Sequence, residues 1–275
     1  GIFIPISFIS LRSFFSDTIN SKSELQNATN IPILGVIGHS DQLNSMVVAK
    51  ATKSIIAESF RALRTNIQYL AADKKKKIIS VTSSVGGEGK TFTAMNLAAI
   101  FAIAGNKTIL IGADLRKPKL HEDFNLDENK GLSSYLINKS ELSEVIEKTE
   151  LKKLDVIGSG PTPPNPAELL DSSKMKNLIK DLNKKYDYVI IDTPPIGLVT
   201  DGVLLMQQSD INLYVVRHGY SKTTALGVIN SLYEQEHVKN TQIIINDFKH
   251  KNNNYGYGYG YGYGTTGYGY YENED

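Results

Sequence analysis

Apolar residues in this chain follow two rhythms that alternate along its length. Short runs at 34–37, 78–81, 107–112, 154–157, 188–192, 213–217 and 242–245 read as strands. The run ending at Asp192 is apolar at consecutive positions, as burial on both faces of a sheet requires. Between these runs lie segments with helical spacing. In 54–70 the apolar set is Ile55, Ile56, Phe60, Leu63, Ile67 and Leu70, and 92–104, 131–137, 142–148, 173–184 and 223–233 also read as helices. Residues 158–166, punctuated by glycine and proline, form a rigid loop. Strand and helix in repeated alternation predict an α/β fold, a mostly parallel β-sheet with helices on both faces.

With 275 residues, 41% of them hydrophobic, the chain can bury one large core, and nothing in its interior demands a second. The absence of cysteine excludes disulfides, Cys-ligated metals and thiol nucleophiles. A net charge of +1 gives no nucleic-acid footprint, and the lysines at 74–77 read as a solvated connection between helix and strand. Residues 1–11 are apolar but fall short of the roughly 20 needed to cross a bilayer. They read either as a buried or flexible segment or as the end of a membrane helix, whose cytoplasmic boundary Arg12 would suit. Residues 12–30 read as linker or short helix.

Chemistry concentrates at 78–91. A strand feeds a turn with Gly86, Gly87 and Gly89, and Lys90 and Thr91 open a helix. Glycines let successive backbone amides converge, and a helix N-terminus adds partial positive charge, so this turn suits phosphate oxygens. Lys90 would reach the β- and γ-phosphates and Thr91 would ligate Mg²⁺, the roles these residues play in a Walker A loop. Ser84 stands where the strict pattern has its first glycine. Asp114 follows the 107–112 strand and Asp192 ends the 188–192 strand, both on the edge of a parallel sheet where ligands bind. Asp192 occupies the place of a Walker B carboxylate. On the 54–70 helix, Glu58, Arg61 and Arg64 fall three apart as an ionic stripe, either a solvated face or a subunit contact. The C-terminal stretch alternates tyrosine with glycine at Tyr255, Tyr257, Tyr259, Tyr261 and Tyr263, then carries Tyr268, Tyr270 and Tyr271. Glycine at every second place offers no packing face, so residues 251–275 read as a flexible tail.

Together these features resemble the bacterial tyrosine kinases, the P-loop kinases attached to polysaccharide co-polymerases of capsule and exopolysaccharide export. The resemblance rests on 82–91 as Walker A, 109–118 as the family's additional A′ box, 189–195 as Walker B, the E-x-x-R-x-x-R pattern of Glu58, Arg61 and Arg64, and the tyrosine cluster. It implies a P-loop NTPase fold over 31–250 and an ATP- and Mg²⁺-dependent protein-tyrosine autokinase. ATP would lie against Val85, Gly86, Gly87, Glu88, Gly89, Lys90, Thr91 and Phe92, with Asn246 near adenine. Thr91, Asp114 and Asp192 would hold Mg²⁺, and Lys90, Asp114 and Asp192 would be catalytic. The eight tail tyrosines would accept phosphate in trans, within a homo-oligomeric ring joined through Glu58, Arg61 and Arg64. Residues 1–11 would be the cytoplasmic end of a membrane helix, placing the chain on the cytoplasmic face of the bacterial inner membrane. A phosphotyrosine phosphatase would complete the cycle, and no nucleic acid is involved. Two positions depart from the family pattern: Gly86 replaces a proline, and Gly112 replaces the first A′ aspartate. A nucleotide-binding scaffold and a partitioning-type ATPase remain as alternatives, the second disfavoured because Ser84 stands where those ATPases carry a signature lysine.

Overall fold

A computed structural model describes residues 17–39, 46–70, 72, 74 and 76–249. Eight strands form one sheet: β1 (Ile33–Gly38), β2 (Lys77–Ser83), β3 (Thr108–Gly112), β4 (Glu147–Lys148), β5 (Leu154–Ile157), β6 (Tyr188–Asp192), β7 (Ile211–Arg217) and β8 (Thr241–Phe248). Their spatial order is β1-β8-β7-β2-β6-β3-β5-β4. Every pairing is parallel except that of β4 with β5. The expected α/β architecture is therefore present. β4 corrects the helix expected over 142–148: the helix stops at Val145, and Glu147 and Lys148 pair against Val156 and Asp155.

Strand order positions the site. Chain progression reverses around β2, and loops leaving neighbouring strands diverge at such a switch point, opening a crevice at their C-terminal ends. β2 is buried at all seven positions. Its neighbour β6 pairs in turn with β3, and register sets both Val81 and Gly112 opposite Asp192. The three loops expected to carry chemistry thus leave the sheet at one level.

Helices cover both faces. Helix Lys90–Ile103 is apolar nearly all round and is buried between the sheet and helix Ile55–Leu70, with Phe101 stacked on Tyr188 at 3.7 Å between ring centroids. In helix Ile55–Leu70 the buried residues include Ile56, Ala57, Phe60, Leu63 and Ile67. Ile55 and Leu70, expected in the core, are instead exposed at the helix ends. On the opposite face, helix Ser173–Lys185 buries Met175, Leu178, Ile179 and Leu182, and Ser172 caps its start by accepting from the Met175 amide. The 223–233 segment divides into a 3₁₀ turn, Thr223–Leu226, and helix Gly227–Glu234.

Within 17–30, read as linker or short helix, two apolar side chains are packed. Ile19 and Leu25 are buried in a third core cluster with Tyr214, Ile229 and Ile243, and 22–28 form a helix. Lys77 is also unlike the solvated connection expected of it: it is buried in β2, and its ammonium donates to the Lys74 carbonyl at 2.7 Å. Among the described residues no helix is long and apolar enough to cross a membrane. Residues 1–11 and the eight tail tyrosines lie outside the described residues.

Candidate active site

The loop after β2 folds as its glycines require. Gly87 and Gly89 have φ of 89° and 92°, a region where a side chain would strain the backbone, and Gly89 caps helix Lys90–Ile103. The helix N-terminus points its free amides and partial positive charge into a cleft of about 720 Å³. Gly86, Gly87, Gly89, Lys90, Thr91 and Phe92 line one side of that cleft, and Asp114, Arg116, Lys117 and Lys119 line another. Pro194, Pro195, Leu198 and Val199 form an apolar rim.

At its floor, Lys90 is held between the two expected carboxylates. Its Nζ lies 3.0 Å from Asp114 Oδ2 and 3.5 Å from Asp192 Oδ1. Thr91 Oγ1 donates to Asp192 Oδ2 at 2.8 Å. All four side chains are at least nine-tenths buried. Burial opposes the charge on Lys90, but Asp192 and Asp114 reverse that effect and raise its pKa. Burial likewise pushes the Asp192 carboxyl up, against the pull of Lys90 and the Thr91 hydroxyl. Asp114 is fixed by its own loop, where Oδ1 accepts the amides of Lys117 at 3.0 Å and Arg116 at 3.3 Å. Arg116 turns away to grip buried Asp201 through two bonds of 2.8 and 3.3 Å.

Sequence-predicted residues thus divide by place. Lys90, Thr91, Asp114 and Asp192 meet at one point. Phe92 joins the cleft wall and packs edge-on against Phe60 at 6.0 Å. The side chain of Glu88 is buried behind the loop, where it accepts from Ser84 Oγ at 2.7 Å, from the Val85 amide at 2.8 Å and from Ser221. It braces the loop, leaving only its amide for the cleft. Asn246 also sits behind the loop, donating to the Glu88 carbonyl at 3.0 Å. Glu58, Arg61 and Arg64 lie on another face, with Glu58 and Arg61 ion-paired within their helix. Gly112 is enclosed: a Cβ there would lie 2.9 Å from both Leu120 Cδ1 and Ser159 Oγ. Residues that sequence reasoning missed include Arg217 at the end of β7 and Tyr220 and Ser221 in the turn after it, all of which touch the loop. They carry no local motif, and only strand order brings them there.

Fold and site define a P-loop nucleotide-binding domain. The AAA domain family matches residues 76–245. Tyrosine-protein kinase YwqD of Bacillus subtilis (strain 168) is 43% identical over 175 residues, covering 64% of this chain and 74% of that protein. Tyrosine-protein kinase ptk of Acinetobacter johnsonii is 33% identical over 261 residues, covering 90% of this chain and 36% of that protein. The kinase domain of Escherichia coli tyrosine kinase ETK superposes with a TM-score of 0.79 at 30% identity, covering 88% of this chain and all of that domain. The chain belongs to the bacterial tyrosine-protein kinases, and the enzyme class expected from its motifs stands. It spans about a third of the length of the Acinetobacter relative.

Proposed function

We propose that the chain is an ATP- and Mg²⁺-dependent autokinase that phosphorylates Tyr255, Tyr257, Tyr259, Tyr261, Tyr263, Tyr268, Tyr270 and Tyr271. The observation that carries this reading is Lys90, held between Asp114 and Asp192 at the mouth of a glycine-rich loop. Amides of 85–91 cradle the ATP phosphates. Lys90 leaves its carboxylate partners to neutralise charge on the transferring group. The oxygen donors fit a hard cation: Thr91 and Asp192 are adjacent, Asp114 is near, and Mg²⁺ is satisfied by one or two carboxylates with phosphate oxygens and water. Bound there, Mg²⁺ would neutralise charge developing on the phosphates. The acceptor phenol oxygen forms the new bond to γ-phosphorus as the bond to the β–γ bridging oxygen breaks, releasing ADP. Asp114 Oδ2 is the carboxylate placed to take the phenol proton. A loose transition state asks little of a base, so one A′ carboxylate suffices.

By family analogy the acceptors belong to a neighbouring subunit in a ring joined through Glu58, Arg61 and Arg64. The assembly works at the cytoplasmic face of the bacterial inner membrane, in capsular or exopolysaccharide polymerisation and export, opposed by a phosphotyrosine phosphatase. The enclosure of Gly112 favours a second reading, a nucleotide-binding scaffold with little transfer activity. Intact-mass spectrometry of the phosphatase-treated chain after incubation with Mg²⁺·ATP separates the two. Stepwise phosphate additions are expected in the wild type, slowed in Asp114→Asn and absent in Lys90→Met. An unchanged wild-type mass with retained ATP binding selects the scaffold.

A further inference from the structure

Three consecutive carbonyls of the phosphate loop are each held from behind by a side chain of β7, β8 or the turn after β7. Tyr220 donates its hydroxyl to Gly86 O at 3.0 Å, Arg217 donates Nη1 to Gly87 O at 3.0 Å, and Asn246 donates Nδ2 to Glu88 O at 3.0 Å. In a trans peptide the carbonyl and the following amide point in opposite directions. Fixing the carbonyls of Gly86, Gly87 and Glu88 therefore fixes the amides of Gly87, Glu88 and Gly89 toward the opposite side, the side that faces the cleft. We infer that Tyr220, Arg217 and Asn246 are positioning residues that preorganise the loop's amides for the phosphates of a nucleotide.

The supports of these three are themselves built in. Asp247 accepts from Arg217 Nε at 3.0 Å and also from His39. It reaches Arg217 because β8 bulges there: pairing with β1 passes from Val36–Ile245 to Gly38–Phe248, and Asp247 has φ of 58°. A bulge re-aims a side chain, and a strained non-glycine residue persists only where its surroundings demand it. The Tyr220 ring lies under the guanidinium at 5.2 Å, a cation–π contact that limits where Arg217 can point. Asn246 is buried, and a Cβ on Gly89 would come within 2.0 Å of its amide nitrogen, so loop and side chain fit only with glycine at 89. Asn246, expected near adenine, is thereby given a different task.

The inference deepens the nucleotide-site reading, but its test needs no transfer to tyrosine. Tyr220→Phe, Arg217→Lys and Asn246→Ala are compared with wild type for binding of ADP, inorganic pyrophosphate and adenosine by calorimetry. Pyrophosphate and ADP are expected to weaken about fivefold in Tyr220→Phe, the loss of one neutral hydrogen bond, and about tenfold in Arg217→Lys, where the donor is charged. Adenosine affinity is expected to stay unchanged. In the kinase assay the same variants raise KM for ATP and leave kcat within about twofold, as loss of binding shared equally by ground state and transition state requires. Tyr220 and Arg217 are partly exposed and carry the test if Asn246→Ala fails to fold. Equal losses for adenosine and pyrophosphate would reassign these residues to the base, and unchanged pyrophosphate affinity in all folded variants would overturn the inference. A chain that binds pyrophosphate as described yet never gains phosphate would sink the kinase reading and leave this one standing.

Discussion

At the scale of single residues the site is an ion cluster under tension from its own burial. Asp192 and Asp114 favour the charged form of Lys90 against its burial, and both carboxylates lie within ion-pair distance of its ammonium. Removing the lysine takes away the one cation held at the loop to neutralise charge on the transferring group, so Lys90→Met is expected to abolish transfer rather than slow it. Gly112 behaves differently. Restoring the family's aspartate would place a Cβ 2.9 Å from Leu120 and Ser159, so Gly112→Asp is expected to lose about 1–3 kcal/mol of stability without a gain in rate. Thermal melting beside a phosphorylation time course checks both halves, and a faster enzyme of unchanged melting temperature would contradict the packing argument. Lys90, Thr91 and Asp192 were legible in the sequence because strand, glycine turn and helix start are contiguous, and a carboxylate ending an apolar strand has few other reasons to be there. Tyr220 and Arg217 were not, and Asn246 was expected at the adenine rather than behind the loop. Their relation to the loop depends on β8, β7 and β2 lying side by side, a fact of topology that no window along the chain contains.

Among elements, strands were read more surely than helix ends. β5 and β6 fall where their apolar runs predicted, since a strand buried on both faces has no amphipathic ambiguity. Helix Ile55–Leu70 has the expected length, but Ile55 and Leu70 are exposed at its two ends, and spacing alone cannot tell where burial by a neighbouring layer stops. Lys77 misled for a related reason: four lysines in a row look solvated, yet the last pairs in β2 beside Tyr188 and snorkels its ammonium to Lys74 O. The connection after β6 makes its own prediction. Ile196 and Gly197 donate their amides to Ser83 O and Ser84 O at 2.9 and 3.0 Å, and a Cβ on Gly197 would lie 2.5 Å from Ser84 O. Gly197→Ala must therefore push the phosphate loop from the side opposite Arg217. A rise in the ADP dissociation constant of about tenfold or more is expected by calorimetry, with the sheet intact by circular dichroism.

For the whole molecule, charge is the quantity that phosphorylation changes most. The chain starts at +1. Eight phosphotyrosines, each adding roughly −1.5 to −2, would take it to about −11 to −15 per subunit. In the proposed ring, subunits meeting at Glu58 and Arg61 would repel on that scale, and the repulsion would be screened by salt. Gel filtration of the phosphorylated form is expected to show a smaller species than the unphosphorylated form at low salt, converging as ionic strength rises. Identical elution under both conditions would remove the electrostatic switch.

Packing of the first described residues has a mechanical consequence. Ile19 exchanges backbone hydrogen bonds with the turn after β7, donating to Ser221 O at 2.9 Å and accepting from the Gly219 amide at 2.8 Å, and Thr18 bridges to Lys222. That turn carries Tyr220 and Ser221, both of which touch the phosphate loop. A load on the entering chain would therefore act first on the turn that braces the phosphate loop. A pull on Asp17 would meet its partners Thr223 and Thr224 and, through Ile19, Ser221, and from Ser221 it is one hydrogen bond to Glu88.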